Sequence, residues 1–229
     1  DYGLVGSRAE LIDGNGKSLN EIQSQSFNQA ETKVMLFFKN CITHSSVIYR
    51  LESVKNLMFN TKMKIAEDYD LIVKITLKEK LKNLNDVLVK YRVYENNITL
   101  DDKLQKKYQN KVTEFQFSRL GLIANKNNLF LHSQLRIRKT HNDIKLINDQ
   151  VIFLEKLYNA NKIFKQFPEP EFSNRLVRYW NNIMNNSCKY SLKLLYVYIS
   201  SPLIRFSNKS LKSHLKFVFK CFIKYEAKF

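Results

Sequence analysis

The sequence predicts an α/β fold over residues 1–100, followed by a mostly α-helical extension over residues 101–229. Three observations carry that division. Strand-like alternation and short helical patterns intermix up to residue 100, whereas long amphipathic patterns take over after it. Charge changes at the same place: residues 1–100 carry 14 Lys or Arg against 12 Asp or Glu, and residues 101–229 carry 24 against 9. Within a formal net charge of +17, a near-neutral part is thus joined to a strongly basic one, which argues for two jobs. Finally, 229 residues with 44% hydrophobic side chains suffice to bury a substantial core.

The first element is YGLVGSRAELID, residues 2–13, which reads as a strand running into the turn GNGK. Asn15-Gly16 suits that turn because both residues tolerate positive φ. A phosphate-binding loop is rejected, since the Gly it requires five residues before Gly16 is Leu11. Residues 28–40 have helical spacing through Val34, Phe37 and Phe38. The short, β-branched stretch THSSVIYR, 43–50, predicts a buried strand. DLIVKITLKEKL, 70–81, predicts a helix with Leu71, Ile72, Ile75 and Leu77 inward. DVLVKYRVY, 86–94, alternates Val87, Val89, Tyr91 and Val93 on one strand face. Helices are then expected over 101–124, 145–166, 171–186 and 208–228, with FPEPEF as one of the joints.

Several classes are set aside. Cys41, Cys188 and Cys221 are odd in number and far apart, with no CxxC pair or nearby His at ligand spacing. They read as reduced, structural cysteines of a cytosolic protein. His132, His141 and His214 show no ligand spacing to one another, and no zinc site is expected. The longest apolar stretch, LLYVYISSPLI from Leu194 to Ile204, is too short to span a bilayer and contains Pro202.

Candidate chemistry centres on AEDYDLIVKI, where Glu67, Asp68 and Asp70 crowd into four positions of a basic chain. Taken alone, such a cluster is an ordinary helix start, favoured by the macrodipole. Its neighbours, however, form an ordered series. Asn40 precedes His44-Ser45-Ser46 and Arg50; Glu67-Asp68-Tyr69-Asp70-Leu71 follows; then come Tyr91-Arg92 and Thr99. This series resembles the second half of family 2 glycosyltransferases, inverting enzymes with the Rossmann-like GT-A fold. The resemblance covers roughly residues 1–100, so residues 1–100 are expected to be the acceptor-side half of a partial GT-A glycosyltransferase domain.

The resemblance implies transfer of a sugar from a nucleotide-sugar donor to a saccharide or lipid-linked acceptor, in assembly of a bacterial surface polysaccharide. Asp68 maps onto the catalytic base that deprotonates the acceptor hydroxyl. Glu67, Asn40, His44 and Asp70 fall to acceptor binding, with Arg92 and Tyr94 on the diphosphate side. His44 also has a structural reading as a hydrogen-bonded histidine entering a strand. Two departures stand out: Tyr94 occupies a position that is often His, and Ile72 one that is often Trp. The family's divalent cation, Mg or Mn, is held by an Asp-x-Asp motif that would precede Asp1, leaving no metal ligand set within these residues. The chain by itself is therefore expected not to catalyse transfer.

The basic tail supplies the competing expectation, a non-catalytic module binding an anionic membrane surface or nucleic acid. Lys209, Lys212, Lys216, Lys220, Lys224 and Lys228 recur three or four apart on one stripe, with Leu211, Leu215, Phe219, Phe222 and Ile223 on the apolar side. Such a helix can lie in a membrane interface, or pack on its own domain. Nucleic acid is not the expected partner, since no recognition motif accompanies the lysines. The expected location is the cytoplasm, with peripheral attachment to the inner face of the cell membrane as an option.

Overall fold

The computed structural model describes residues 2–23, 27–94, 102–135, 143–207 and 210–224. They form two compact units that divide between Phe117 and Ser118. The first is α/β and the second helical.

In the first unit, strand β1 (Leu4–Ile12) is the centre of a mixed sheet. Along one edge it pairs in parallel with β4 (Leu81–Arg92), Leu4 opposite Leu81 and Ile12 opposite Arg92. Along the other edge, β2 (Ser18–Gln23) pairs antiparallel with the C-terminal half of β1, and the two-residue β3 (Ile48–Tyr49) with its start. The β1–β2 turn is the expected one, but only Gly16 takes positive φ, at 88°. Asn15 is relieved of that conformation because the Asp13 carboxylate accepts from the backbone N–H groups of both Asn15 and Lys17.

Helix α1 (Gln29–Phe38) begins with a full capping box: Asn28 accepts from the Glu31 N–H, and Glu31 reaches back to the Asn28 N–H. It buries Val34 through Phe38. Helix α3 (Glu67–Ile75) packs against it after a short helix α2 (Leu51–Val54). Tyr69, Ile72, Ile75, Met35, Leu36 and Leu81 share one core. The buried Tyr69 hydroxyl donates to the Leu36 carbonyl at 2.6 Å, and Gln116 Nε2 donates to the same oxygen at 3.1 Å. Helix α4 (Asp102–Arg119) adds Tyr108 and Val112 to that core, so its residues up to Phe117 belong with the α/β unit.

Three sequence expectations need correction here. Residues 43–50 are not a buried strand: His44–Ser46 form a 3-10 turn, only Ile48 and Tyr49 are extended, and Ile48 is 75% exposed. The cause is Ser46, whose hydroxyl accepts from the Ser7 N–H and lies 3.0 Å from the Ser7 carbonyl and 2.8 Å from that of Thr43, latching the turn onto β1. The helix expected over 70–81 instead starts at Glu67 and ends at Ile75, which leaves Leu77 exposed rather than inward. The strand expected over 86–94 begins earlier, at Leu81, and Val87 on its alternating face is exposed.

The second unit contains α5 (Lys126–Gln134), α6 (Ile144–Phe164), α7 (Glu171–Asn185), α8 (Ser191–Ser200) and α9 (Leu211–Phe222). Helices α6, α7 and α9 correspond to expected segments, whereas α5 and α8 had no counterpart. Trp180 is fully buried and stacks on Tyr198 at 4.8 Å, which in turn stacks on Phe217 at 4.1 Å. Cys41, Cys188 and Cys221 are buried, and none of the three is in a disulfide. No described helix is long and apolar enough to cross a membrane. Thr99, Asp101, His141, Lys209 and Lys228 lie outside the described residues.

Candidate active site

A cleft of about 690 Å³ opens in the α/β unit beside the first turn of α3. Its walls include Asn40, His44, Lys64, Glu67, Asp68 and Tyr91. That volume falls in the range of small-molecule sites.

Asp68 sits on the first turn of α3, where the leading backbone N–H groups lack intrahelical partners and favour a carboxylate. The turn is entered through Ala66 at φ 60°, a left-handed conformation that a non-glycine residue adopts only under constraint. Tyr69, three residues on, donates its hydroxyl to the Leu36 carbonyl at 2.6 Å and anchors α3 to α1. Asn40, just beyond α1, donates from Nδ2 to Asp68 Oδ2 at 3.0 Å. Its other amide atom accepts from the Ile42 N–H at 3.1 Å, which fixes the amide's orientation. His44, presented by the Ser46-latched turn, lies 3.3 Å through Nδ1 from the Tyr49 hydroxyl and meets Phe59 edge-on.

The electrostatics set Asp68 apart. Burial raises its pKa above the ordinary 3.8, and the neighbouring Glu67 adds to the rise. The backbone N–H groups of Tyr69 and Asp68, together with His44, pull the other way without cancelling it. Tyr49 is pushed up to about 12, mainly by burial and then by the Asp68 charge. The cleft therefore holds a partly desolvated carboxylate whose pKa is raised and which is held by an amide. Replacing that amide in Asn40→Leu, which keeps the site filled, is expected to raise the Asp68 pKa further, because a hydrogen bond to the charged form is lost while the burial is kept. Carbon-13 titration of the Asp68 carboxyl reads this out, and a downward or absent shift would refute the assigned partnership.

Of the residues that the resemblance singles out, Asp68, Glu67, Asn40 and His44 line the cleft, and Asp70, Arg92 and Tyr94 do not. Asp70 is buried outside the cleft wall and pairs with Lys74 at 2.5 Å, one turn along α3. Its expected place in acceptor binding is replaced by an internal ion pair. Arg92 donates to the carbonyls of Asp13 and Gly14 at 3.2 and 2.8 Å, clasping the β1–β2 turn. Tyr94 is exposed, with its ring near Gly14. Strand alternation explains both cases: Tyr91 and Val93 face the cleft, so Arg92 and Tyr94 face away. Arg92→Ala is accordingly expected to cost at most about 1 kcal/mol by loosening the exposed turn, measured by urea denaturation, with no change in the Asp68 titration.

Sequence reasoning missed Lys64, Tyr91, Gln105 and Gln109 as wall residues. Alternation within the YR pair carried the signal for Tyr91. Gln105 and Gln109, one helical turn apart on α4 and joined by a 2.9 Å hydrogen bond, lay beyond the boundary drawn at residue 100. Nothing in the local sequence marks Lys64.

The resemblance also calls for Mg or Mn. Such ions need near-octahedral oxygen ligation. Among the described residues no group of three or more His, Cys, Asp or Glu is placed to hold an ion. Asp68 Oδ2 is moreover engaged by Asn40. No step in this cleft is derived through such an ion. Compared with known proteins, the chain matches no family model and no curated sequence.

Proposed function

We propose that the cleft is the acceptor site of an inverting glycosyltransferase of the GT-A type. The single observation that carries this reading is the environment of Asp68, a carboxylate made more basic by burial and held by Asn40 in a polar cleft. A base is most effective when its pKa approaches the working pH, and burial moves Asp68 in that direction.

In the proposed reaction an acceptor hydroxyl lies against Asp68. Its oxygen forms a bond to the anomeric carbon of a nucleotide sugar as the bond to the diphosphate breaks from the opposite face. The hydroxyl proton passes to Asp68, and the nucleoside diphosphate leaves with the electron pair. Glu67 and His44 offer hydrogen bonds to further acceptor hydroxyls, while Gln105 and Gln109 present amides across the cleft. Tyr91 supplies an aromatic wall of the kind on which a sugar face packs. The acceptor is a saccharide, free or lipid-linked.

The test is a panel of nucleotide sugars with saccharide and lipid-linked acceptors, the full-length protein as catalyst and product anomers assigned by NMR. Transfer with inversion supports the reading. A product that retains the donor's configuration, or sugar transfer that persists with the cleft blocked by Asn40→Trp, would overturn it.

A further inference from the structure

We propose that the helical unit docks on an anionic membrane surface through the outward faces of α8 and α9. This inference stands independently of the proposed transferase activity.

The sequence pattern of α9 places Leu211, Leu215, Phe219, Phe222 and Ile223 on its apolar side, the side an ordinary amphipathic helix buries. The structure does the opposite. Helix α9 turns Phe217 and Cys221 inward, with Phe217 stacked on Tyr198 and His214 Nδ1 2.6 Å from the Tyr198 hydroxyl. Leu211, Leu215, Phe219, Phe222 and Ile223 are all left exposed, Phe219 at 62%. Lys212 and Lys216 are exposed beside them, one position after Leu211 and Leu215. The neighbouring α8 repeats the arrangement. It buries Leu194, Val197 and Tyr198, and exposes Leu192, Tyr196 and Ile199, with Tyr196 at 76%. Spacings of three and four put each exposed set on one helix face.

Charge decides what covers these faces. From Phe172 to Tyr225 the sequence has ten Lys or Arg and no Asp or Glu. A second copy of the chain would bring an equally basic surface, so self-association sets like charge against like. Nucleic acid would neutralise the lysines but leave the Leu, Ile and Phe side chains in water. A membrane interface containing anionic lipid satisfies both demands: acyl chains receive the apolar residues while headgroups pair with the lysines. Since no described helix can span a bilayer, the helices would lie along the surface.

The experiment is co-sedimentation of the full chain with phosphatidylcholine vesicles, with and without phosphatidylglycerol. The parent is expected to pellet with phosphatidylglycerol vesicles, and to bind at least about tenfold less to phosphatidylcholine alone or in high salt. The double variant Leu215→Glu with Phe219→Glu is expected to lose at least about tenfold in binding, with circular dichroism unchanged because both side chains are already exposed. Lys212→Gln with Lys216→Gln weakens binding to anionic vesicles alone. Three results would overturn the proposal: no pelleting of the parent with anionic vesicles, equal binding by the glutamate variant, or a parent dimer that the glutamate variant dissociates.

Discussion

Asp68→Asn is expected to lower the turnover of the full-length protein by roughly 10²- to 10⁴-fold, the range for removing a positioned base. The loss should fall on kcat rather than KM, because the amide keeps the shape and much of the hydrogen bonding of the acceptor site while losing only the ability to take a proton. Steady-state kinetics with a responsive donor and acceptor pair measure it, and turnover within a factor of two of the parent would sink the assignment of Asp68.

The same substitution carries a stability signature that separates lost chemistry from lost folding. Burial raises the Asp68 pKa in the folded protein above its ordinary 3.8. The folded state therefore binds more protons than the unfolded chain across the window between those two values, and stability falls as pH rises through it. Above that window the buried charge is a standing cost; well below 3.8 both states are protonated and the cost disappears. The amide introduced by the substitution has no charge to bury. The melting temperature of the variant at pH 7 should accordingly equal or exceed that of the parent, with the gap closing in acid. A lower melting temperature at pH 7 would assign the lost turnover to a damaged fold. In the parent, the acid limb of the rate profile should lie above the ordinary 3.8 for the same reason.

The largest stability effect is expected from Trp180→Ala in the helical unit, at about 3–5 kcal/mol. Trp180 is fully buried, and its removal breaks the stack that continues through Tyr198 to Phe217, joining α7, α8 and α9. Phe219→Ala also removes an aromatic ring from the same region but should change stability by no more than about 0.5 kcal/mol, because that ring is already in solvent. Urea denaturation followed by far-UV circular dichroism compares the two, since Trp180 is the only tryptophan available as a fluorescent probe. A cost at Phe219 similar to that at Trp180 would mean that α9 buries the face described as exposed.

The sequence by itself determined those features whose cause is local. The strand and turn at residues 2–17, helix α1 and the two long helices α6 and α7 all follow from turn chemistry and periodicity within a few residues of each element. So does the gathering of carboxylates on the first turn of α3, which lies in neighbouring residues. The resemblance also carried part of the cleft, since Asn40, His44, Glu67 and Asp68 fall within its short motifs.

Only the tertiary structure decided what those residues face. Asp70 shares the carboxylate cluster but turns to Lys74, because helical rotation carries it two positions round from Asp68. Arg92 and Tyr94 leave the cleft to Tyr91 because β4 alternates and pairs in parallel with β1, a register set by residues far away in sequence. The strand expected at 43–50 gave way to a turn because Ser46 found partners on β1. In α9 the apolar stripe is plain in the sequence, yet Tyr198 captures His214 and Phe217 and rotates the stripe outward. A pattern within one helix records which side chains are apolar. It holds no information on which neighbouring ring offers the better stack, and that choice determines which face meets the core.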